Sequence, residues 1–490
     1  MMNRPLLLDL TLTLLLGLGA VGCKKTNGDY CDATTPCKSG RACNLTTRQC
    51  GVFVGGGDGG SGGGGNGGGD GGVHFSCSQC TGLTPLCETA TCAACTTAAA
   101  PDAACAMLTA AAPFCLASGA SAGSCVACRT NGDCTDPKAF ICDATLHDCR
   151  GCIADAECPS GVCDLVPDSV TNGRCVDPSQ IVYVDGSTTN AGNGLTAAAP
   201  LGTILGGIDT AASEPRTYVH IAPGTYAEDL TVSGRSAFLV ADPETVIIKP
   251  NHAGFVVSGI STLSMRGLVV SATGVGIDCE GAGANSVVNV YSSEIINNGN
   301  DGILSNSCTI LLDGCWINGN SGVGVRTAGS FTVVNSVLTH NTQGGFSQSS
   351  PGAIMTFANN TVADNTAGVA AGIYCQSMGS FPIINSIVYN NKDSTGKVSD
   401  FDTFCLSTNF VNLATDDPIV APMATVDLRT QLPGFVGTVP VKATSYELVP
   451  GSVCLDQGTA SSQAPDHDFL MKPRPDARTK KYDLGAFELQ

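Results

Sequence analysis

Cysteine offers the most chemistry in this chain, with 27 copies. Four C-x-x-C pairs occur, at Cys77/Cys80, Cys92/Cys95, Cys125/Cys128 and Cys149/Cys152. In a reducing compartment that spacing points to zinc or to dithiol redox chemistry. Twenty of the cysteines, however, crowd between Cys31 and Cys175, a density that belongs to an oxidising compartment. They parse into groups of four. Cys31, Cys37, Cys43 and Cys50 read C-x5-C-x5-C-x6-C. Cys128, Cys134, Cys142 and Cys149 read C-x5-C-x7-C-x6-C, and Cys152, Cys158, Cys163 and Cys175 read C-x5-C-x4-C-x11-C. Cys95, Cys105, Cys115 and Cys125 form a looser group, and Cys77, Cys80, Cys87 and Cys92 an irregular one. The last three C-x-x-C pairs fall at seams between groups, so these cysteines read as disulfide candidates and no metal site is expected. Units this small cannot bury a core and need such staples.

Acid–base chemistry would need carboxylates converging with an Arg or Lys. Asp278, Glu280, Asp301 and Asp313 are the nearest approach to a cluster. They hold different places in the repeats described below, so stacking is not expected to bring them together. Arg266 and Arg326 read as lone arginines, and Asp466-His467-Asp468 lies beyond the repeats, where a structural role is expected. The six His show no metal-ligand spacing, and Trp316, Tyr291 and Tyr389 form no aromatic stripe for sugar faces. No catalytic residue is nominated and no cofactor is expected. Calcium could meet the Asn/Asp-rich corner near Asn297 to Asp301, but a solvated turn explains that stretch as well.

A nine-residue phrase supplies the frame. It runs from Val290 to Asn298 and returns at Leu312–Asn320, Val333–Asn341, Phe357–Asn365 and Ile383–Asn391, at spacings of 22, 21, 24 and 26 residues. Positions one and six are always apolar and position nine is always Asn. Such periods mark a solenoid whose repeats bury a core only by stacking. A leucine-rich repeat would need an apolar residue five before the Asn, where Ser293, Cys315, Ser336, Asn360 and Ser386 stand. A parallel β-helix fits, with the polar middle of the phrase as a turn between strands. Asn298, Asn320, Asn341, Asn365 and Asn391 should then stack about 4.8 Å apart as an axial hydrogen-bond ladder. The Gly–apolar pairs after them, Gly302-Ile303, Gly324-Val325, Gly345-Phe346 and Gly372-Ile373, are expected to supply positive φ at a corner. Cys279 and Cys308 hold similar places in consecutive rungs and are a candidate disulfide pair.

The stretch Tyr218 to Tyr226, with Tyr183-Val184-Asp185-Gly186 ahead of it, resembles the opening rung of the pectin-lyase-like right-handed parallel β-helix superfamily. That resemblance covers roughly residues 181–400 and implies an all-β fold while leaving activity open. Residues Leu448 to Gly458, Pro473-Arg474-Pro475 and Tyr482 to Glu488 resemble the closing segment of choice-of-anchor Q surface proteins. In that family a C-terminal anchor often follows; here only Leu489 and Gln490 follow, so the anchor is expected to be elsewhere or absent. Ala20-Val21-Gly22-Cys23, after a short basic and then apolar stretch, resembles a bacterial lipobox with Cys23 as the lipidated residue. Lys24 and Lys25 follow, without an inner-membrane sorting Asp. The resemblance implies an outer-membrane or cell-surface lipoprotein of a Gram-negative bacterium, and the Cys-rich units are similar to those of myxobacterial surface lipoproteins.

The expected organisation is a signal peptide (1–22), an anchor Cys with the first Cys-rich module (23–54), a Gly-rich linker (55–72), disulfide modules (73–178), a parallel β-helix (179–415) and a closing segment (416–490). The linker holds 14 Gly in 18 residues, a flexible tether. Net charge is −18, and after residue 180 only 14 Lys/Arg face 26 Asp/Glu. This excludes nucleic acid and polybasic membrane contact. The expected partners are the membrane through the N-terminal lipid and an extracellular polysaccharide or surface protein. The expected role is non-catalytic adhesion or display; the alternatives are a polysaccharide lyase, hydrolase or epimerase, or a glycan-binding protein.

Overall fold

The computed structural model describes residues 42–44, 49–51, 80–88, 91–167, 169–188, 192–280, 285–375, 381–407, 409–437 and 441–490. The chain divides into Met1–His74 and Phe75–Gln490. In the first unit Ala42–Asn44 pairs antiparallel with Gln49–Gly51, setting Cys43 opposite Cys50. Cys23, Cys31, Cys37 and the glycine run at 55–72 lie outside the described residues.

The second unit begins with small stapled modules. Within each of the three fully described groups of four, the first cysteine bonds the third and the second the fourth. The pairs are Cys95–Cys115 with Cys105–Cys125, Cys128–Cys142 with Cys134–Cys149, and Cys152–Cys163 with Cys158–Cys175. Cys80–Cys92 closes a further loop. Two-residue antiparallel pairings such as Ile141–Cys142 with Cys149–Arg150 complete units that contain almost nothing else to bury.

From Ile181 the chain winds into a parallel β-helix with three sheets. The first sheet stacks Ile181–Val184, Tyr218–Ile221, Ser236–Val240, Thr262–Arg266, Val287–Tyr291 and Thr309–Asp313. The second stacks Gly224–Tyr226, Val246–Ile248, Leu268–Val270, Glu294–Ile296, Trp316–Asn318, Val337–Thr339 and Thr361–Ala363. The third stacks Leu230–Ser233, Phe255–Ser258, Ile277–Glu280 and Ile303–Ser305, then continues in the longer strands Val325–Val334 and Phe346–Ala358. The sequence phrase is the register of this stack. Its first position runs Val290, Leu312, Val333, Phe357, Ile383, each directly paired with the next. Its sixth runs Ile295, Ile317, Leu338, Val362, Val388 in the same way. All ten are fully buried, because alternate residues of a strand point inward. Phe331, Phe346, Phe357 and Phe381 fill the later turns with ring centroids 5.0–6.1 Å apart.

Each phrase turns two corners. The third position is left-handed in every copy (Ser292, Gly314, Asn335, Asn359, Asn385; φ from 40° to 63°), and so is the eighth (Asn297, Gly319, His340, Asp364, Asn390; φ from 54° to 66°). Asn and Gly tolerate that region. The glycines of the Gly–apolar pairs have a different role from the one expected. None of them has positive φ. A Cβ on Gly324 would lie 2.6 Å from the Gly345 carbonyl and 2.7 Å from Asn341 Nδ2, and one on Gly302 would meet Gly324 O and Asn320 Nδ2 at 2.6 and 2.8 Å. They are glycine because the next turn passes too close for a side chain.

The N-terminal end is closed by the helix Ile204–Ser213. Its buried face, Ile204, Ile208 and Ala211, lies on the first turn, and Gly207 lets it approach Val184 and Val219. Glu228 caps it, accepting from the backbone N–H groups of Ile204 and Leu205 at 2.9 and 3.1 Å. The segment after residue 416 packs along the outer face of the second sheet. There Trp316, Val337 and Ala363 are buried against Ala443, Tyr446 and Phe487, and Ile387 and Ala414 against Leu428, Leu448 and Leu484.

Candidate functional site

The Asn column is the most regular polar feature. Asn298, Asn320, Asn341 and Asn365 each donate Nδ2–H to Oδ1 of the next Asn, at 2.8, 2.8, 2.9 and 2.8 Å, and Asn391 donates to Asp400 Oδ1 at 2.7 Å. The same acceptors also take the backbone N–H of the preceding Asn. All five side chains are at most 1 % exposed, so the amides bond along the axis and present nothing to a ligand. A second column runs at position four, where Cys315, Ser336 and Asn360 donate backbone N–H to the side-chain oxygens of Ser336, Asn360 and Ser386. This inner column explains why position four is never apolar.

The carboxylates are engaged in several places. Asp301 accepts from Arg326 Nε and from the Val323 backbone N–H, both at 2.7 Å. Arg326 is thus paired, and so is Arg266, whose Nη2 donates to both Asp155 oxygens at 2.8 and 3.0 Å. The expectation of lone arginines is corrected: both partners sit far off in sequence, which spacing cannot show. Burial, then the charges of Glu280 and Asp301, raise the Asp278 carboxyl above the usual range; Asp278 and Glu280 share a strand of the third sheet, Asp301 lies in the turn before the next one, and Asp313 is on the first sheet. The small cavity beside Arg326, about 180 Å³, is walled by Val323, Gln343, Ser347 and Tyr374, with no carboxylate.

Asp313 meets the closing segment. His467 Nε2 lies 3.0 and 3.2 Å from its two oxygens, His467 Nδ1 lies 3.1 Å from Asp466, and Asn335 Nδ2 donates to Asp313 at 2.9 Å. Burial would lower the imidazole, but Asp313 and then Asp466 outweigh it and hold His467 at about 9. Asp468 accepts from the Leu470, Lys472 and Glu488 backbone N–H groups and shapes the turn. Nearby, the fully buried Arg474 donates to Glu488 at 3.1 Å and to the Asp483 and Gly485 carbonyls. Trp316 is 7 % exposed and donates its indole N–H to Thr339, so its faces are packed.

The cysteine sulfurs tell a similar story. The last and first cysteines of successive groups bond to different partners, as with Cys149 to Cys134 and Cys152 to Cys163. The sulfur clusters around Cys105, Cys134 and Cys158 are therefore disulfides and offer no thiolate. Cys279 bonds Cys308, and Cys375 bonds Cys405. Cys315 and Cys454 are buried free thiols among the described residues, pushed up to about 12 by burial.

A larger opening lies at the C-terminal turns. A cavity of about 660 Å³ is lined by Tyr389, Lys397, Asp416, Arg429, Gln431 and Leu432. The irregular stretch after Asn391 builds one wall and the last turn the other. Arg429 is held by Asp427 at 2.6 Å, Asp416 accepts the Asn390 backbone N–H at 2.9 Å, and the Tyr389 ring meets Phe435 edge-on at 6.4 Å. The cavity offers an aromatic edge, cations and an amide, which suits binding. It had no repeat signature because its residues come from the part of each turn that varies in length.

Residues 253–411 match the family model described as a right handed beta helix region. A crystal structure of pectate lyase Pel9A aligns at 15 % identity with a TM-score of 0.34, covering 64 % of this chain and 98 % of that one. No curated protein matches the chain. The fold is a right-handed parallel β-helix preceded by disulfide-rich modules.

Proposed function

We propose that this chain is an exported surface protein that displays a rigid β-helix and binds without catalysis. The observation that carries this reading is that the arginines and the polar column of the ladder are already engaged. Arg266, Arg326 and Arg474 are each bound to a carboxylate, Asp313 is held by His467, and the Asn column bonds only to itself and its neighbours. Acid–base catalysis needs such groups free and converging on a groove. The Cys-rich modules make a stalk, and lipidation at Cys23 would tether it to the outer membrane or cell surface. An extracellular polysaccharide or surface protein would bind at the cavity beside Tyr389, Lys397 and Arg429, a reading supported by its aromatic, cationic and amide lining.

Two experiments test this. The purified protein is incubated with a panel of acidic and neutral polysaccharides, with and without calcium, and products are followed as unsaturated ends, reducing ends or epimerised residues by proton NMR. None is expected; turnover of any substrate favours the polysaccharide-lyase, hydrolase or epimerase reading. Radiolabelled palmitate should enter the native chain and not the Cys23→Ser variant. Label persisting in that variant overturns the lipid anchor.

A further inference from the structure

A second cavity, of about 230 Å³, opens between one corner of the β-helix and the closing segment. Three charged side chains line it: Glu294 on the second sheet, Glu244 at the preceding corner and Lys442 on the closing segment. Pro243, Phe469 and Leu470 supply its apolar wall. Glu294 interrupts an otherwise apolar outward column, with Val269 one turn before it and Trp316 and Val337 after it. Neither Glu294 nor Glu244 makes an ion pair or a side-chain hydrogen bond with a described residue. A half-buried carboxylate without a hydrogen-bond donor, against apolar walls, is unfavourable unless something completes it.

We propose that this cavity binds a small zwitterion with an apolar tail, of the free aliphatic α-amino acid kind. The ammonium sits between Glu294 and Glu244, the carboxylate on Lys442, and the aliphatic side chain against Phe469 and Leu470. One positive and two negative walls match a ligand that carries both signs, and a lone amine or a lone acid would leave a wall unpaired. The size agrees, since a cavity of about 150 Å³ already holds benzene. The inference stands apart from the display reading and does not depend on the cavity near Tyr389.

Proton linkage gives it a signature. In the empty cavity burial, and then Glu244, push Glu294 up to about 7, against the pull of Lys442. A bound ammonium favours the ionised carboxylate, so binding releases a proton and tightens as pH rises through about 7.

Titration calorimetry on the full chain, in buffers of different ionisation enthalpy, uses leucine, butylamine and butyrate as probes. Leucine is expected to bind with proton release, and butylamine and butyrate about tenfold or more weakly, the loss of one charged hydrogen bond. Glu294→Gln should weaken leucine by a similar factor and abolish the proton release. Lys442→Met should bring leucine to the affinity of butylamine; Lys442 is exposed, so folding is not at stake in that variant. Leucine binding no tighter than butyrate, or unchanged by Lys442→Met, overturns the proposal.

Discussion

Arg266 and Asp155 are 111 residues apart and meet at 2.8 Å, with side chains only 5 % and 4 % exposed. Asp155 belongs to the last Cys-rich module and also accepts the Cys163 backbone N–H at 2.8 Å. Arg266 projects from the first sheet of the β-helix and donates as well to the Cys163 carbonyl at 3.2 Å. Around the pair, Val162 and Val176 of the module are buried with Ile181, Tyr183 and Val240 of the sheet. The module is therefore built onto the side of the β-helix through a buried, ion-paired joint.

Breaking one side of a buried pair strands the other charge, at a cost of about 3–5 kcal/mol. Arg266→Met should lower the urea midpoint accordingly and expose the 152–175 module to protease. The double replacement Asp155→Leu/Arg266→Met should lose less than the sum of the single changes. An unaltered midpoint in Arg266→Met would show that the joint does not depend on this contact.

Asn341 stands in the middle of its column, accepting from Asn320 and donating to Asn365 and to the Ile317 carbonyl. Asn341→Ala leaves several buried groups unsatisfied, each worth about 1–3 kcal/mol. A loss of roughly 3 kcal/mol or more is expected by chemical denaturation. The neighbouring His340 is exposed and left-handed, with φ 56°. His340→Asn should be neutral, since Asn tolerates that conformation; equal losses at the two positions would deny the column its role.

The stacking of these turns was legible because the phrase carries its own register: Val290, Leu312 and Val333 align in sequence as they pair in space. The polar column at position four was visible only as an absence of apolar residues. The partners of Arg266, Arg326 and Asp313 were hidden, since each contact joins residues from separate turns or modules, and the closing segment's place on the second sheet has no local pattern. The cavity walls come from loops of unequal length, where spacing carries no geometric information.

Gly324 and Gly368 separate two reasons for glycine. A Cβ at Gly324 would press on the Gly345 carbonyl at 2.6 Å, whereas one at Gly368 meets nothing within 4 Å, and neither residue has positive φ. Gly324→Ala should destabilise by about 1–3 kcal/mol, as overpacking does. Gly368→Ala should stabilise by about 0.4–1 kcal/mol by restricting the unfolded chain. Thermal unfolding of the two variants is the comparison, and a harmless Gly324→Ala would overturn the close-approach argument.

His467 makes stability depend on pH above neutrality. Its folded pKa of about 9 lies above the ordinary 6.5, so the charged pair with Asp313 contributes fully below about 6.5 and is lost as pH rises through about 9. The contribution is at most roughly 3 kcal/mol. His467→Gln should be less stable than the parent at pH 6, and the difference should vanish by about pH 10. A difference that is constant with pH would mean that the imidazole packs there uncharged.

Asp400 ends the Asn column as an acid. It is fully buried and accepts from Asn391 Nδ2 and from the Thr415 hydroxyl at 2.6 Å. Burial, and then Asp416, hold its carboxyl well above the usual carboxylate range. The folded state therefore keeps a proton that the unfolded chain releases near pH 4. Its stabilising effect is complete below that pH and declines as pH rises towards the folded pKa. Asp400→Asn should continue the column by one amide, accepting from Asn391 and donating to Asp416, with no proton to lose. The variant is expected to match the parent near pH 4 and exceed it at pH 8 by an amount that grows with pH. Urea midpoints across that range decide the matter: a variant weaker than the parent at pH 8 would mean that Asp400 is needed as a carboxylate.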